Sequence, residues 1–194
     1  MDRLIHSLES YEPCCEQEER DKRVMLDFLR TGETPLLRGN EVAHFTASAW
    51  IVNRSRTRVL MAWHNIYRSW SWTGGHADGE ADLLAVAMRE AREETGVQTI
   101  APVDERIFSV ETLNVNGHEK RGRYVPCHLH MNVTYLLEAD ENEPLRVKPD
   151  ENSGVRWMTP EELADSVSEK WMLERVYGKL CRKVTARAGQ AGEK

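Results

Sequence analysis

At 194 residues the chain is long enough for one domain with a sizeable core and too short for two full ones. Hydrophobic residues make up 40% and charged residues 30%, a globular balance rather than a disordered one. The formal net charge of −6 argues against nucleic-acid binding through bulk positive charge. No apolar run approaches the roughly 20 residues of a membrane span, and Met1-Asp2-Arg3-Leu4-Ile5-His6 lacks the apolar core of a signal peptide. Cys14, Cys15, Cys127 and Cys181 form no C-x-x-C pair and suggest no disulfide framework. A cytoplasmic protein without membrane or nucleic-acid partners is therefore expected.

Residues 1–40 read as a helical extension, in which Val24, Met25, Phe28 and Leu29 recur at helical spacing. Glu18/Lys22 and Glu19/Arg23 form i,i+4 pairs, and Thr31-Gly32 is a stop signal. A packing element or dimer arm is the simple reading, with vicinal Cys14-Cys15 as a redox alternative. From His44 to Val52 the chain alternates, with Phe45, Ala47, Ala49 and Ile51 on one face. Residues 58–64 follow after the turn Asn53-Arg54-Ser55-Arg56, which predicts a hairpin. Residues 106–115, 127–138 and 154–159 are further strands. The last runs into Thr159-Pro160-Glu161-Glu162, an N-cap, a proline at the first helical position and a capping box. A final amphipathic helix carries Trp171, Met172, Val176, Leu180 and Val184, with fraying expected from about Ala186.

The stretch 74–97 carries the chemistry. Gly74-Gly75-His76-Ala77-Asp78-Gly79 leads into an Ala- and Leu-rich helix stopped by Gly96. At about 100° per residue, Leu83, Leu84, Ala87, Met88 and Ala91 share one face, and Glu90, Glu93 and Glu94 fall in an adjoining arc. Three carboxylates one turn apart repel one another. A hard divalent cation would relieve that repulsion, because it prefers oxygen ligands and sits readily between carboxylates and phosphates. A solvated acidic face beside Arg89 and Arg92 is the alternative on charge pattern alone.

The same residues resemble the signature of the Nudix hydrolases, G-x5-E-x7-R-E-U-x-E-E-x-G-U, where U is bulky and aliphatic. Gly75 matches the first glycine, Arg89-Glu90 the R-E pair, Glu93-Glu94 the E-E pair, and Gly96-Val97 the close. Ala91 replaces the bulky aliphatic residue, and Ala81 stands where the first glutamate belongs, flanked by Glu80 and Asp82. The resemblance implies an α/β (α+β) fold, a Nudix-type α/β/α sandwich with a mixed β-sheet, here with N-terminal and C-terminal helical additions. The implied organisation is an extension over 1–40, a Nudix domain over 41–165, and a C-terminal helix and tail over 166–194. The implied reaction is Mg²⁺- or Mn²⁺-dependent hydrolysis of the pyrophosphate bond in a nucleoside diphosphate linked to another moiety. By the same resemblance Glu93 and Glu94 are metal ligands, with the backbone carbonyl of Gly75 as a further one. Glu90 is a third ligand or the base that deprotonates water, and Arg89 orients the glutamates. In relatives an acidic residue from a later loop serves as base or extra ligand, and Glu151 is the choice here.

Around this box, the strand from His128 places His128, His130, Asn132 and Thr134 on one face, so His128 and His130 are candidates for substrate contact or proton transfer. Lys120, Arg121 and Arg123 cluster beside Asn116-Gly117-His118, where Lys120 and Arg123 would clamp an anionic substrate. Trp63, Tyr67, Trp70 and Trp72 lead into the glycine loop as core or base-stacking residues. The two helical additions offer a homodimer surface. A non-catalytic binding module or sensor is the alternative suggested by Ala81. An isopentenyl-diphosphate isomerase-like enzyme is disfavoured, since residues 58–74 hold no cysteine. Relatives that cleave ADP-ribose often carry a proline where Thr112 stands, and diadenosine-polyphosphate relatives a tyrosine near Asn114-Val115-Asn116. The resemblance therefore points to neither substrate.

Overall fold

Every residue of β1, Ala43–Asn53, is buried, so this strand is interior on both faces rather than half-exposed. The polar side of the expected alternation, His44, Thr46 and Ser48, is thus as buried as Phe45, Ala47 and Ile51. The computed structural model describes residues 1–31, 33–120 and 122–191; Gly32 and Arg121, named in the sequence reading, lie outside the described residues. The other elements are α1 (Asp2–Glu9), α2 (Glu16–Thr31), β2 (Val59–His64), β3 (Ser69–Ser71), β4 (Thr73–His76), α3 (Leu83–Thr95) and β5 (Ala101–Pro102). They continue with β6 (Ser109–Val115), β7 (His118–Lys120), β8 (Arg123–Val125), β9 (His128–Ala139), β10 (Asn152–Met158), α4 (Pro160–Ser166), a π-helical segment (Met172–Tyr177) and α5 (Gly178–Ala191). Strands pair in the order β10-β2-β1-β9-β5, with β3 on β2, β4 on β1 and β6 on β9. This is the expected mixed α/β fold. The chain gathers into two units, one of Met1–Ser48, Gly74–Ala87 and Glu105–Tyr135, the other of Ala49–Thr73, Met88–Asp104 and Leu136–Lys194.

In the first unit, β6 and β9 pair antiparallel from Ser109↔Thr134 to Val115↔His128. That register puts Ser109 and Glu111 on the same face as Asn132 and Thr134. Glu111 accepts hydrogen bonds from Asn132 (3.0 Å) and Thr134 (2.9 Å), and Asn132 in turn accepts from Thr46 and Ser48. Helix α2 docks on this polar network through Glu18. The fully buried Glu18 carboxylate accepts from the Tyr11 hydroxyl (2.6 Å), the Cys14 backbone N–H (2.8 Å) and the Ser109 hydroxyl (2.8 Å). The expected Glu18/Lys22 surface pair is therefore not made. Lys22 instead donates to the carbonyls of Glu9 and Tyr11, tying α2 back to the end of α1. Met25 and Leu29 are buried as the helical spacing predicts, whereas Val24 is exposed. Where β4 crosses β1, a Cβ on Gly74 would lie 2.5 Å from Ser48 Oγ and 2.6 Å from the Ala47 carbonyl oxygen. Only glycine permits that approach.

In the second unit, β2 pairs antiparallel with β10, from Asn152↔His64 to Met158↔Val59, and with β3. The aromatic run before the glycine loop divides its work. Trp63 and Trp70 meet edge-to-face at 5.6 Å with the Arg156 guanidinium 4.8 Å from the Trp70 ring centre, while Trp72 abuts Tyr177 at 5.5 Å. Trp50 of β1, stacked on Tyr177 at 5.6 Å, is the fully buried tryptophan. The Thr159 capping box of α4 forms as the sequence predicts. Helix α5 runs to Ala191 and does not fray at Ala186, because Arg187 is anchored to Asp104 at 2.8 Å.

Candidate functional site

The N-terminus of α3 is built by the two acids that flank Ala81. Asp82 is the cap, its carboxylate accepting from the Ala85 N–H at 3.1 Å, and Glu80 accepts from the Asp82 N–H at 2.8 Å. At the other end Gly96 has φ +79° and donates to the Arg92 carbonyl, the left-handed cap expected of it. A Cβ at Gly96 would sit 2.9 Å from the Arg146 Cβ, and the Arg146 N–H donates to the Thr95 carbonyl at 2.8 Å. Leu83, Val86, Ala87 and Ala91 bury the helix's apolar face.

On that frame Glu90, Glu94 and Glu151 each offer a carboxylate oxygen, all within 4.8 Å of one another. Glu90 and Glu94 stand one turn apart, and Glu94 is only 4% exposed. Glu151 arrives from the loop before β10, a loop pinned to the helix by Asn152, whose side-chain amide donates to the Glu94 carbonyl at 3.0 Å. Asn152 also accepts from the Lys148 N–H. The Lys148 ammonium bridges Glu93 (2.9 Å) and Glu151 (3.1 Å), and Arg89 pairs with Glu90 at 3.3 Å.

Glu90, Glu93 and Glu151 thus share the Arg89 and Lys148 charges. Burial and the neighbouring Glu93 push the Glu90 carboxyl up, with Lys148 and Arg89 only partly opposing them. Desolvation works to lower the Lys148 ammonium, but its hydrogen bonds to Glu93 and Glu151 hold it above the ordinary lysine range. Converging, partly desolvated carboxylate oxygens are what a hard divalent cation needs.

Gly75 is half-buried on β4, in the first unit, whereas the carboxylates belong to the second. Glu93 stays on Lys148 rather than joining the three converging oxygens. Lys120 and Arg123 are paired in register at the end of the β7–β8 hairpin, and Arg123 is exposed. His128 and His130 meet, nitrogen to nitrogen, at 3.1 Å, together with His44 and His76. The sequence reading missed Lys148 and Asn152. Nothing in their spacing marks them, although both lie within three residues of Glu151.

The family model described as the NUDIX domain matches residues 42–177. No curated protein matches the chain. Among solved structures, the Caenorhabditis elegans Ap4A hydrolase in a binary complex is 18% identical, with a TM-score of 0.54 over 75% of this chain and 98% of that one. A NUDIX-family hydrolase from Clostridium perfringens is 19% identical, with a TM-score of 0.53 over 74% of this chain and 97% of that one. At such identities the likeness is one of fold. With Arg89-Glu90 and Glu93-Glu94 on a capped helix and the family match spanning most of the sequence, this chain belongs to the NUDIX domain family.

Proposed function

We propose that the protein hydrolyses the pyrophosphate bond of a nucleoside diphosphate linked to another moiety, with Mg²⁺ or Mn²⁺ held by Glu90, Glu94 and Glu151. The observation that carries this reading is the approach of those three carboxylates to within 4.8 Å. The donor set fits the ion: all oxygen, converging and partly desolvated. Such an ion, when bound, neutralises phosphate oxygens and activates water for attack on phosphorus. The chain's own residues do the rest. Arg89 pairs with the Glu90 carboxylate, and to Glu90, as third ligand or as base, we assign the proton taken from water, a role its burial supports. Lys148 bridges Glu93 and Glu151 and adds positive charge for an anionic substrate. Lys120 and Arg123, paired in register on β7 and β8, are assigned to the distal phosphate or acidic part of the substrate.

The sensor alternative rested on Ala81. Glu80 and Asp82 organise the helix start through backbone hydrogen bonds, so helix support does not require a glutamate at that position. The reading is tested by incubating the full chain with nucleoside triphosphates, nucleotide sugars, dinucleotides and coenzyme A, with Mg²⁺ or with chelator. At least one substrate is expected to be cleaved between its phosphates in Mg²⁺ and not in chelator. Cleavage of none in either Mg²⁺ or Mn²⁺ would sink the reading.

A further inference from the structure

Four imidazoles converge in the first unit, and the hydrolytic reading does not require all of them. His44, on β1, lies 4.9–5.0 Å by ring centre from His76, His128 and His130, and His76 and His130 are 5.0 Å from one another. One nitrogen from each of His44, His76 and His130 can be chosen so that all three lie within 4.8 Å. They come from three strands, β1, β4 and β9, so the backbone ladder rather than a mobile loop sets the arrangement.

Hydrogen bonds fix the tautomers. A carbonyl oxygen can only accept, so the 3.0 Å contact between His44 Nδ1 and the Asn40 carbonyl places the proton on Nδ1. His44 Nε2 then carries a lone pair, is buried, and has no hydrogen-bond partner among the described residues. His128 Nδ1 donates likewise to the Pro126 carbonyl at 2.8 Å. In the neutral imidazole His128 Nε2 then accepts from His130 Nε2 at 3.1 Å, which leaves the lone pair of His130 on its Nδ1. Burial, reinforced by the surrounding imidazoles, holds His130 neutral, its pKa pushed down to about 2, and burial also lowers His44. Protonation is thus a costly way to satisfy the orphaned nitrogen. The Arg38–Asp78 ion pair lies close enough for Asp78 to favour positive charge on His44 while Arg38 opposes it.

An unpartnered buried acceptor bears its desolvation cost uncompensated. Neutral imidazoles whose second N–H is donated to a carbonyl or another fixed acceptor are the usual metal-ligating arrangement. We propose that His44, His76 and His130 bind a borderline divalent transition ion, for which Zn²⁺ is the probe, with His128 positioning His130. The set contains no carboxylate or thiolate, which favours an imidazole-preferring ion over Mg²⁺. In a tetrahedral zinc site, nitrogens about 2.0–2.1 Å from the ion stand roughly 3.3 Å apart, so the rings close inward slightly on binding. Three protein ligands leave a fourth position open to water or an anionic oxygen. This site shares no residue with the carboxylate group and stands or falls independently of it.

The test is calorimetric titration of the chelator-stripped full chain with Zn²⁺ in excess Mg²⁺, alongside Co²⁺ absorption spectra. One Zn²⁺ per chain is expected, with visible bands of four-coordinate cobalt. His44→Gln, His76→Gln and His130→Gln should each weaken Zn²⁺ by about 100-fold or more. His128→Gln, acting through His130, should weaken it about tenfold, whereas Glu94→Gln should leave zinc affinity unchanged. X-ray absorption on the zinc-loaded wild type, which depends on no variant folding, should show a first shell with imidazole scattering. Failure to bind stoichiometric zinc, a carboxylate-only first shell, wild-type affinity in all three ligand variants, or loss of zinc in Glu94→Gln would each overturn the proposal.

Discussion

Glu90 is half-buried, faces Glu93 and is only partly compensated by Arg89 and Lys148, so folding raises its pKa. The folded state then holds this proton more tightly than the unfolded state does. The stability contributed by Glu90 is complete below the unfolded carboxyl range and is lost as pH rises through the folded pKa. Glutamine stays neutral throughout. In metal-free protein Glu90→Gln should therefore raise the thermal midpoint at pH 7 by about 2 °C, and the two midpoints should converge near about pH 4. Differential scanning calorimetry in chelator measures both. A midpoint at pH 7 equal to or below that of the wild type would show that Glu90 is not destabilised by its surroundings. Added Mg²⁺ should reverse the order, because the wild-type carboxylate then gains a partner and the amide does not.

Among the elements, α2 gives the sharpest case of a local rule losing to a distant contact. Spacing pairs Glu18 with Lys22, an interaction worth about 0.3–0.5 kcal/mol on a helix surface. The structure buries Glu18 against Tyr11, the Cys14 amide and Ser109, contacts to a charged acceptor worth roughly 1.5–3 kcal/mol each. Glu18→Ala, which strands those donors, should lower stability by about 3 kcal/mol in urea unfolding, and Glu18→Gln by distinctly less. A cost below about 1 kcal/mol for the alanine would mean that α2 is not held by this residue. The same contrast explains what the sequence could and could not reveal. The Thr159 capping box and the Gly96 stop are encoded within a few residues, and both appear in the fold. Lys148 bridges Glu93 from 55 positions away, and the ring of His44 meets His128 across a strand pairing. Such partners depend on register and loop path, which no short window of sequence contains.

At the scale of the whole molecule, the net charge of −6 is unevenly placed. Residues 75–97 carry six acids against Arg89 and Arg92, whereas residues 179–194 carry five bases against Glu193. Under the proposed function, part of that acidity is a cation site, and a cation held there would offset the charge that repels an anionic diphosphate. Glu94 concentrates that claim: it is buried, sits on the packed face of α3, and contributes to the converging oxygens without contacting Lys148. The most direct measurement is steady-state hydrolysis of the best substrate by wild type and Glu94→Gln, each with and without Mg²⁺, beside their circular dichroism. The expected result is a folded variant whose Mg²⁺-dependent kcat falls by about 100-fold or more. A folded Glu94→Gln protein with unchanged turnover would contradict the assignment.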